Sequence, residues 1–216
     1  MFRPVIIEAR DLSEAWYLCI VEAYTEGREY VIQKGSFEGQ RRREIPFVVV
    51  SVKHPGLRPL VPDVPQGFAP PTTMDYVEQD YLPYLMTSHK EESELYTYGE
   101  DLEPQIPEVI RRYKAFGFDT NQLCMSVGSR DSLLLEHSQC LRLVDTRVQD
   151  GALHFVVYFR SWDLWGGFPT NLAGLQLVKE YMAREIGVED GTLVALSKGL
   201  HLYEHCWELA RVVLRR

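Results

Sequence analysis

The 216-residue sequence predicts an α+β fold in a single domain over residues 1–216. Segments typical of helices and of strands are mixed along the chain without regular alternation, which favours this class. A hydrophobic content of 45% is enough to form one sizeable core without disulfide bonds. Two runs of alternating hydrophobicity joined by Gln-Asp-Gly predict a β-hairpin within that fold.

The first part of the chain predicts a strand, a helix and a second strand. The short run PVIIEAR predicts the opening strand, and the periodic segment DLSEAWYLCIVEAYTEG predicts the helix. Asp11 or Ser13 can cap this helix, and Gly27 ends it. The β-branched run PFVVVSVKHP predicts the second strand. Half of the 12 prolines lie between residues 55 and 71, which predicts an extended surface loop there.

Periodicity, prolines and glycines predict the remaining elements. Two helices are followed by a hairpin, a further helix, a strand and a final helix. In chain order the segments are MDYVEQDYLPYLMT with a break near Pro83, PEVIRRYKAFG starting at Pro107, QCLRLVDTRV paired with LHFVVYFRSW, TNLAGLQLVKEYMAREIG, TLVALSKGLHLY and EHCWELARVVLRR. Asp150 and Gly151 form the predicted hairpin turn.

Composition and charge narrow the class of function. The net charge of -8 argues against a protein that wraps nucleic acid, because phosphate binding requires a surplus of basic residues. The dense basic run from Arg41 to Arg43 is typical of a solvated strand or turn. The cysteines show no CxxC pair, and the N-terminus has no apolar signal region. With no apolar span of membrane length, we expect a cytoplasmic protein without membrane or nucleic acid partners.

The segment HLYEH, residues 201–205, matches a zinc peptidase pattern with His201 and His205 one helical turn apart. Such a site needs a further ligand well downstream, and few residues follow His205. We therefore expect no metal at this segment.

The segment YFRSWDLWGGFPTNLAG, residues 158–174, places Arg160, Asp163 and Asn171 among aromatic and apolar residues and glycine. Charges in such surroundings must be paired or must bind a ligand. An internal ion pair with a helix cap at Asn171 explains this pattern without any function. Cys140 begins the strand that pairs with the strand of Arg160. It is either a small buried side chain or a nucleophile whose thiolate Arg160 stabilises.

The chain from Cys140 to Tyr203 resembles the nucleotide-binding half of thymidylate synthases. The resemblance rests on motifs in the order and with the spacing of that family, namely Cys140, Asp150-Gly151, Arg160-Ser161-x-Asp163, Gly167, Pro169-x-Asn171 and His201-x-Tyr203. A segment with Tyr98, Gly99, Gln105 and Ile106 is also similar to the family. The resemblance covers a little over half of the chain, and it implies a large twisted mixed sheet flanked by helices.

The resemblance implies that the protein catalyses the reductive methylation of dUMP to dTMP. Cys140 would add to C6 of uracil, so that C5 can attack the methylene group carried by a reduced pterin. Asn171 would bind O4 and N3–H of uracil through its amide. Arg160 and Ser161 would bind the 5′-phosphate, and Arg160 would also stabilise the thiolate.

The same resemblance implies roles for further residues. His201 and Tyr203 would bind the 3′-hydroxyl of the deoxyribose, and Tyr98 would contribute to substrate binding. Asp163 would face the pterin or order the water of the site. Gly167 would let the backbone approach the ligand.

The chain departs from the family pattern in several places that concern the site, and Leu141 and Phe159 stand where the family has histidine and glutamine. Where the family has two adjacent arginines that reach the phosphate of the partner subunit, this chain has Asn121-Gln122. The loop KGSFEGQRRRE is our candidate for the missing phosphate contacts, through Ser36 and Arg41. The essential glutamate of the family has no clear counterpart. Glu78 is the best placed carboxylate, and Asp80 is the second candidate.

The short length and the segment FRSWDLWGGFP are most similar to the archaeal-type synthases. That similarity implies a donor of the tetrahydromethanopterin type rather than tetrahydrofolate, no metal, and a homodimer packed sheet to sheet. Two alternatives stay open. The chain stops soon after the H-x-Y motif, so water can capture the methylene and give a hydroxymethyl pyrimidine nucleotide from dUMP or dCMP. Asn121-Gln122 and Leu141 also fit a catalytically inactive nucleotide-binding module.

Overall fold

A computed structural model describes residues 3–34, 37–92 and 94–215. Its strands are β1 Val5–Ala9, β2 Arg28–Val31, β3 Arg41–Ile45, β4 Val48–Val52, β5 Cys124–Ser126, β6 Leu141–Gln149, β7 Ala152–Phe159, β8 Trp162–Asp163, β9 Glu189–Ser197 and β10 Leu200–Tyr203. Its α-helices are α1 Leu12–Thr25, α2 Met74–Tyr76, α3 Leu82–Met86, α4 Gly99–Phe116, α5 Gly167–Ile186 and α6 Trp207–Val213. This mixture of helices and strands confirms the predicted α+β class.

The larger sheet has six strands in the order β1-β4-β9-β7-β6-β5. It is mixed, because β1 runs parallel to β4 and β9 runs parallel to β7, whereas the other neighbours are antiparallel. Helix α5 packs on β7 and β9, α1 on β1 and β4, and α4 on β5. Side chains alternate along these strands between a buried row under the helices and a partly exposed row on the other face.

The central hairpin of this sheet forms as the sequence predicts. Strands β6 and β7 pair antiparallel from Leu141↔Phe159 to Gln149↔Ala152. Asp150 and Gly151 both have positive φ, at 52° and 77°, as a two-residue turn between twisted strands requires. The register shifts between Leu141 and Leu143, so β6 contains a β-bulge close to its first residue.

A second sheet of four strands has the order β2-β3-β10-β8. The run from Arg41 to Arg43 belongs to β3 and pairs with both β2 and β10. The segment TLVALSKGLHLY, predicted as a single strand, instead divides between the two sheets. Strand β9 ends at Ser197 in the large sheet, and β10 begins at Leu200 in the small one. Ser197-Lys198-Gly199 interrupts the apolar pattern at this point, but such an interruption does not indicate that the chain changes sheet.

The segment predicted to be helical with a break near Pro83 is continuous but irregular. Helix α2 passes into a π-helical segment, Val77–Tyr81, and this passes directly into α3. Pro83 is the second residue of α3 and follows the π-helical segment directly. The wider π turn, rather than a break, accommodates the irregularity.

Helix α4 is longer than predicted, because it begins at Gly99 and contains both Pro104 and Pro107. Both prolines are exposed, and so are Glu100 and Glu103, whose carbonyl groups lose their i+4 donors. Water can therefore bind these carbonyls. The opposite face holds the helix in place through a buried stripe, Leu102, Ile106, Val109, Ile110 and Tyr113.

Helix α5 begins at Gly167, three residues before the predicted start at Thr170, so Asn171 lies inside the helix rather than at its cap. The proline-rich segment 55–71 contains neither a helix nor a strand, as predicted. Within the residues that the structure describes, none of the helices is long and apolar enough to span a membrane.

Candidate active site

Cys140 lies immediately before β6, and the hairpin brings the end of β7 beside it. The backbone N–H of Arg160 donates a hydrogen bond of 2.8 Å to the carbonyl of Cys140. The Cys140 side chain is partly exposed and packs against the edge of the core. The bulge in β6 follows directly, and bulges of this kind re-aim neighbouring side chains.

The guanidinium group of Arg160 is fixed to the turn that precedes the cysteine. Its Nε donates to the carbonyl of Gln139 at 3.0 Å, and its Nη2 donates to the carbonyl of Ser138 at 2.5 Å. These bonds place a permanent positive charge beside the backbone of Cys140. Among the described residues, no partner is recorded for Nη1, which leaves its two protons for a ligand.

Tyrosine side chains surround Cys140 on the side of α3 and α4. The rings of Tyr84 and Tyr98 meet edge to face at 5.1 Å, and Tyr96 lies 5.7 Å from Tyr98. The Tyr98 hydroxyl accepts a hydrogen bond of 3.3 Å from the backbone N–H of Leu141. Burial is the largest cause that raises the pKa of Tyr96, followed by the nearby Cys140. These phenols therefore stay neutral around the cysteine.

The other three cysteines are poor candidates for a nucleophile. Cys19 and Cys206 are buried, and burial raises the pKa of the Cys206 thiol to about 12 and the pKa of Cys19 higher still. Cys124 on β5 is exposed overall, but the desolvation of its sulfur and the nearby Asp145 raise the pKa of its thiol. Because the thiolate is the nucleophilic form, these environments leave Cys140 as the candidate.

Asn171 lies in the second turn of α5, and its amide is held by a tryptophan. The indole Nε1 of Trp162 donates a hydrogen bond of 2.9 Å to Oδ1 of Asn171. The ring of Trp162 is stacked between Phe159 at 4.3 Å and Phe168 at 4.5 Å. Tyr81 is buried beside the same amide. Its hydroxyl acts on Asn171, but it forms no hydrogen bond of ordinary geometry within the described part of the chain.

Asp163 organises the start of α5. Its Oδ2 accepts hydrogen bonds from the backbone N–H groups of Gly166 at 3.0 Å and Gly167 at 2.8 Å. A Cβ at Gly167 would lie 3.2 Å from the Cβ of Asp163, so a glycine fits this close approach. Asp163, Gly167, Asn171 and Tyr81 share the lining of a cavity of about 490 Å³.

The polar face of the small sheet carries the H-x-Y motif. His201 is buried, its Nδ1 lies 2.8 Å from the carbonyl of Gly199, and its Nε2 is buried without a partner in the described residues. Burial is the main cause that lowers the pKa of His201, so the ring is neutral. The bond to Gly199 assigns the proton to Nδ1 and leaves Nε2 as an acceptor. The ring of Tyr203 stands edge-on to it at 4.7 Å.

Arg42 lies on the same face, because it is directly opposite Tyr203 in the β3–β10 ladder. Its Nε donates to the Tyr30 hydroxyl at 2.6 Å, and its Nη2 donates to Glu44 at 2.7 Å. Burial raises the pKa of Tyr203, and Asp163, Arg42 and Cys140 also act on it. Tyr203 of the H-x-Y motif therefore lies near both Arg42 on the polar face of the small sheet and Cys140.

The structure does not bring every predicted residue to this site. Arg41 points away from it, with its guanidinium bound to Glu204 and to Glu29 at 3.0 Å. Glu78 is exposed, and its carboxylate acts on Arg58, which is bound to Glu180.

Two further predictions remain open. Ser36 lies outside the described residues. Ser161 follows Arg160 between β7 and β8 and is partly exposed, as a ligand contact would require.

Sequence reasoning missed five residues of the site, namely Arg42, Tyr81, Tyr84, Tyr96 and Trp162. A signal existed for Arg42, because strand alternation places it on the opposite face from Arg41 and Arg43 once β3 is recognised. The tyrosines show no such signal, since their positions depend on the packing of α3 against α4 and α5.

The HLYEH segment does not form the helical turn that its zinc pattern needs. His201 lies in β10, and His205 lies in the following 3₁₀ turn. Within the described residues, no group of three or more histidine, cysteine, aspartate or glutamate side chains is placed to hold a metal ion.

Comparisons with known proteins agree on one family. The family model described as thymidylate synthase matches residues 105–216, which include the cysteine and every motif that follows it. Relatives that carry the provisional name thymidylate synthase include a protein of Methanosarcina acetivorans. It is 26% identical over 216 residues, which cover 97% of this chain and 94% of that protein.

A second relative with that provisional name comes from Methanothermobacter thermautotrophicus. It is 26% identical over 225 residues, covering 97% of this chain and 98% of that protein. The thymidylate synthase of Mycoplasma pneumoniae is 31% identical over 114 residues, covering 52% of this chain and 39% of that protein.

Proposed function

Because the chain belongs to the thymidylate synthase family, we propose that it catalyses the reductive methylation of dUMP to dTMP. Cys140 is the nucleophile of this reaction, and a reduced pterin supplies both the carbon and the hydride. The observation that carries the proposal is the pairing of a partly exposed cysteine with an arginine clamped to the turn before it. An arginine fixed in this position can bind the phosphate of a nucleotide whose base lies within reach of the cysteine.

The covalent step begins when the Cys140 sulfur adds to C6 of the uracil ring. The electron pair of the C5–C6 double bond then moves to C5, which attacks the methylene carbon, while O4 carries part of the negative charge. One carbon–nitrogen bond of the methylene bridge breaks in this attack. Loss of the C5 proton then accompanies cleavage of the second carbon–nitrogen bond, which frees the pterin and leaves an exocyclic methylene group on C5. Hydride completes the methyl group as the Cys140 sulfur leaves C6.

Asn171 and Tyr81 are placed to bind the base in this proposal. The amide of Asn171 offers one donor and one acceptor, which match O4 and N3–H of uracil. Burial raises the pKa of Tyr81 well above its usual value, so its unpartnered hydroxyl stays neutral and can donate. We propose Tyr81, in place of Glu78, as a hydrogen-bonding group that acts on the charge developing at the base.

The phosphate and the sugar have separate contacts. The free Nη1 of Arg160 and the neighbouring Ser161 bind the 5′-phosphate, and Arg42 adds a second positive charge from β3. The unprotonated Nε2 of His201 accepts the 3′-hydroxyl of the deoxyribose, which satisfies a buried atom that is otherwise without a partner. Tyr203 stands beside it.

The cavity beside Asn171 is our candidate for the pterin ring. Asp163 offers carboxylate oxygens there, and Gly167 lies in the same lining. We favour a donor of the tetrahydromethanopterin type over tetrahydrofolate. This choice is supported by relatives from methanogenic archaea that match nearly the full length of the chain.

A homodimer packed sheet to sheet is part of the proposal. The face of the large sheet opposite the helices carries partly exposed apolar side chains, namely Val49, Val156, Tyr158, Val194 and Leu196. A contiguous apolar face of this kind marks an interaction surface.

All four cysteines are free, which supports the cytoplasm as the location.

The test is tritium release from 5-tritiated dUMP, with the mass of the nucleotide product measured in parallel. Methylene-tetrahydromethanopterin and methylene-tetrahydrofolate are supplied in separate reactions. We expect release and dTMP formation with the first donor, and loss of both in Cys140→Ala. Cys124→Ala is the matched control, and it keeps full activity.

Other outcomes identify the alternatives. A hydroxymethyl product shows that water, rather than hydride, completes the reaction. Binding of dUMP without tritium release from either donor contradicts catalysis and leaves a nucleotide-binding module. Equal release from the Cys140→Ala variant contradicts the assignment of the nucleophile.

A further inference from the structure

Trp162, which lies between Ser161 and Asp163 in the sequence, is buried and has an aromatic ring stacked on each face. Its side chain is 2% exposed, and its ring lies between Phe159, at an interplanar angle of 9°, and Phe168, at 24°. Stacking on both faces leaves the indole no freedom to turn. Its N–H therefore points in one fixed direction, and the atom it meets is Oδ1 of Asn171 at 2.9 Å.

A side-chain amide can be turned by 180° with little change of shape, and the turn exchanges its donor arm with its acceptor arm. An indole N–H is a donor only. The bond from Trp162 can therefore form with the oxygen of Asn171 but not with its NH₂ group. In the turned orientation two donors would face each other, and the hydrogen bond would be lost.

The other polar neighbour of this amide cannot select an orientation. The Tyr81 hydroxyl also acts on Asn171, and a hydroxyl can either donate or accept. It therefore fits both orientations of Asn171 equally well. Of these two polar neighbours, Trp162 alone sets the orientation of the Asn171 amide.

Uracil and cytosine demand opposite orientations of the amide. Uracil offers an acceptor at O4 and a donor at N3, whereas cytosine offers a donor at N4 and an acceptor at N3. An amide free to turn can satisfy either base. We propose that Trp162 is a specificity-determining positioning residue, which holds Asn171 in the orientation that accepts dUMP and rejects dCMP. This inference rests on the proposed pyrimidine nucleotide substrate.

The test compares the dissociation constants of dUMP and dCMP, measured by calorimetry on the full-length protein without any pterin. Trp162→Phe keeps an aromatic ring in the stack and removes the N–H. We expect the preference for dUMP over dCMP to fall at least about tenfold, the factor that one buried hydrogen bond supplies. Trp207→Phe is the matched control, because it removes an indole bond to the carbonyl of Leu202.

A second replacement guards against loss of folding in the phenylalanine variant. Site-specific replacement of Trp162 by 3-benzothienylalanine keeps the two-ring shape and stacking but has no N–H. The same fall in preference is expected, while Trp207→Phe retains the preference of the unmodified protein. An unchanged preference in both Trp162 replacements, or an equal fall in Trp207→Phe, overturns the inference.

A measurement without nucleotide separates this inference from the proposed function. In Asn171→Ala, the NMR resonance of the Trp162 indole N–H is expected to shift, because its acceptor is removed. If that resonance does not move, the contact is absent and the inference fails, whatever the substrate. If the resonance moves but the unmodified protein binds neither dUMP nor dCMP, the proposed function is wrong. The specificity assigned to Trp162 is then wrong as well.

Discussion

Arg41 and Arg42 are neighbours in sequence, yet they belong to different surroundings. Arg41 forms exposed ion pairs with Glu204 and Glu29, whereas Arg42 faces Tyr203 across the ladder. We expect Arg42→Met to weaken dUMP binding by roughly 10- to 100-fold, the range for hydrogen bonds to a charged group. Calorimetric titration with dUMP measures this change.

Arg41→Met is the control for that variant. Exposed ion pairs contribute little, so we expect its dissociation constant for dUMP to change by less than about threefold. The reverse ranking of the two variants would return the phosphate contact to Arg41, as the sequence alone predicts.

At the residue scale, the sequence predicts the site wherever chemistry and spacing coincide. Cys140, Arg160, Asn171 and His201 lie in motifs. The structure places Arg160 beside Cys140, and it places Asn171 and His201 beside Asp163. Glu78 shows the limit of this approach. Its residue type is suitable, but the π-helical turn sets which side chains of that segment face α5, and one of these is Tyr81.

At the element scale, one glycine allows α5 to pack closely on the π-helical segment and on α3. A Cβ at Gly174 would lie 2.6 Å from Cδ1 of Tyr81 and 2.9 Å from Cδ1 of Leu85. We expect Gly174→Ala to lower the free energy of unfolding by about 1–3 kcal/mol, because overpacking outweighs the better helix propensity of alanine. Urea denaturation measures this loss.

The same substitution also tests the role of Tyr81. Displacement of its ring moves the hydroxyl away from Asn171, so we expect kcat to fall under conditions where the variant is fully folded. Glu185→Ala, an exposed change on the same helix, serves as the control and alters neither quantity. An unchanged kcat in Gly174→Ala would show that Tyr81 has no part in the reaction.

Elements with local signals were predictable, and elements that depend on distant packing were not. The β6–β7 hairpin follows from Asp150-Gly151 and its flanking alternation. Helix α4 extends over Pro104 and Pro107 because its buried face compensates for two missing backbone bonds. Strand β2 is short and polar, and the two-residue strand β8 pairs with β10, which is distant in sequence, so neither stands out in the sequence.

At the scale of the whole molecule, His201 makes stability depend on pH. Burial lowers its pKa below the usual 6.5, so the unfolded chain binds a proton that the native protein resists. The free energy of unfolding therefore falls as the pH decreases below about 6.5, until the native pKa is reached. The slope for one proton is at most about 1.4 kcal/mol per pH unit.

Urea denaturation between pH 7.5 and 5.5 measures this dependence. His201→Asn keeps a hydrogen-bonding side chain but cannot titrate, so we expect a flatter profile for this variant than for the unmodified protein. Carboxylates with a lowered pKa, such as Glu180 and Glu204, act at lower pH and are common to both proteins. Parallel profiles would show that the histidine is not the source.

The second prediction at this scale concerns the uncovered face of the large sheet. Tyr158 and Leu196 are direct neighbours in the β7–β9 ladder and lie at the middle of that face. We expect Leu196→Glu to convert a dimer into monomers, because a charge would be buried in an apolar interface. Light scattering after size exclusion gives the mass, and a monomeric unmodified protein would contradict the proposed assembly.

The hairpin that joins Cys140 to Arg160 also limits how this chain can evolve. Deleting one residue from β6 or β7 would shift the pairing by about 3.3 Å and turn every later side chain to the opposite face. The cysteine and the arginine would then no longer meet. The proline-rich segment 55–71 has no such ladder to preserve. Insertions and deletions among descendants should therefore accumulate in that segment, while the length of the hairpin stays constant.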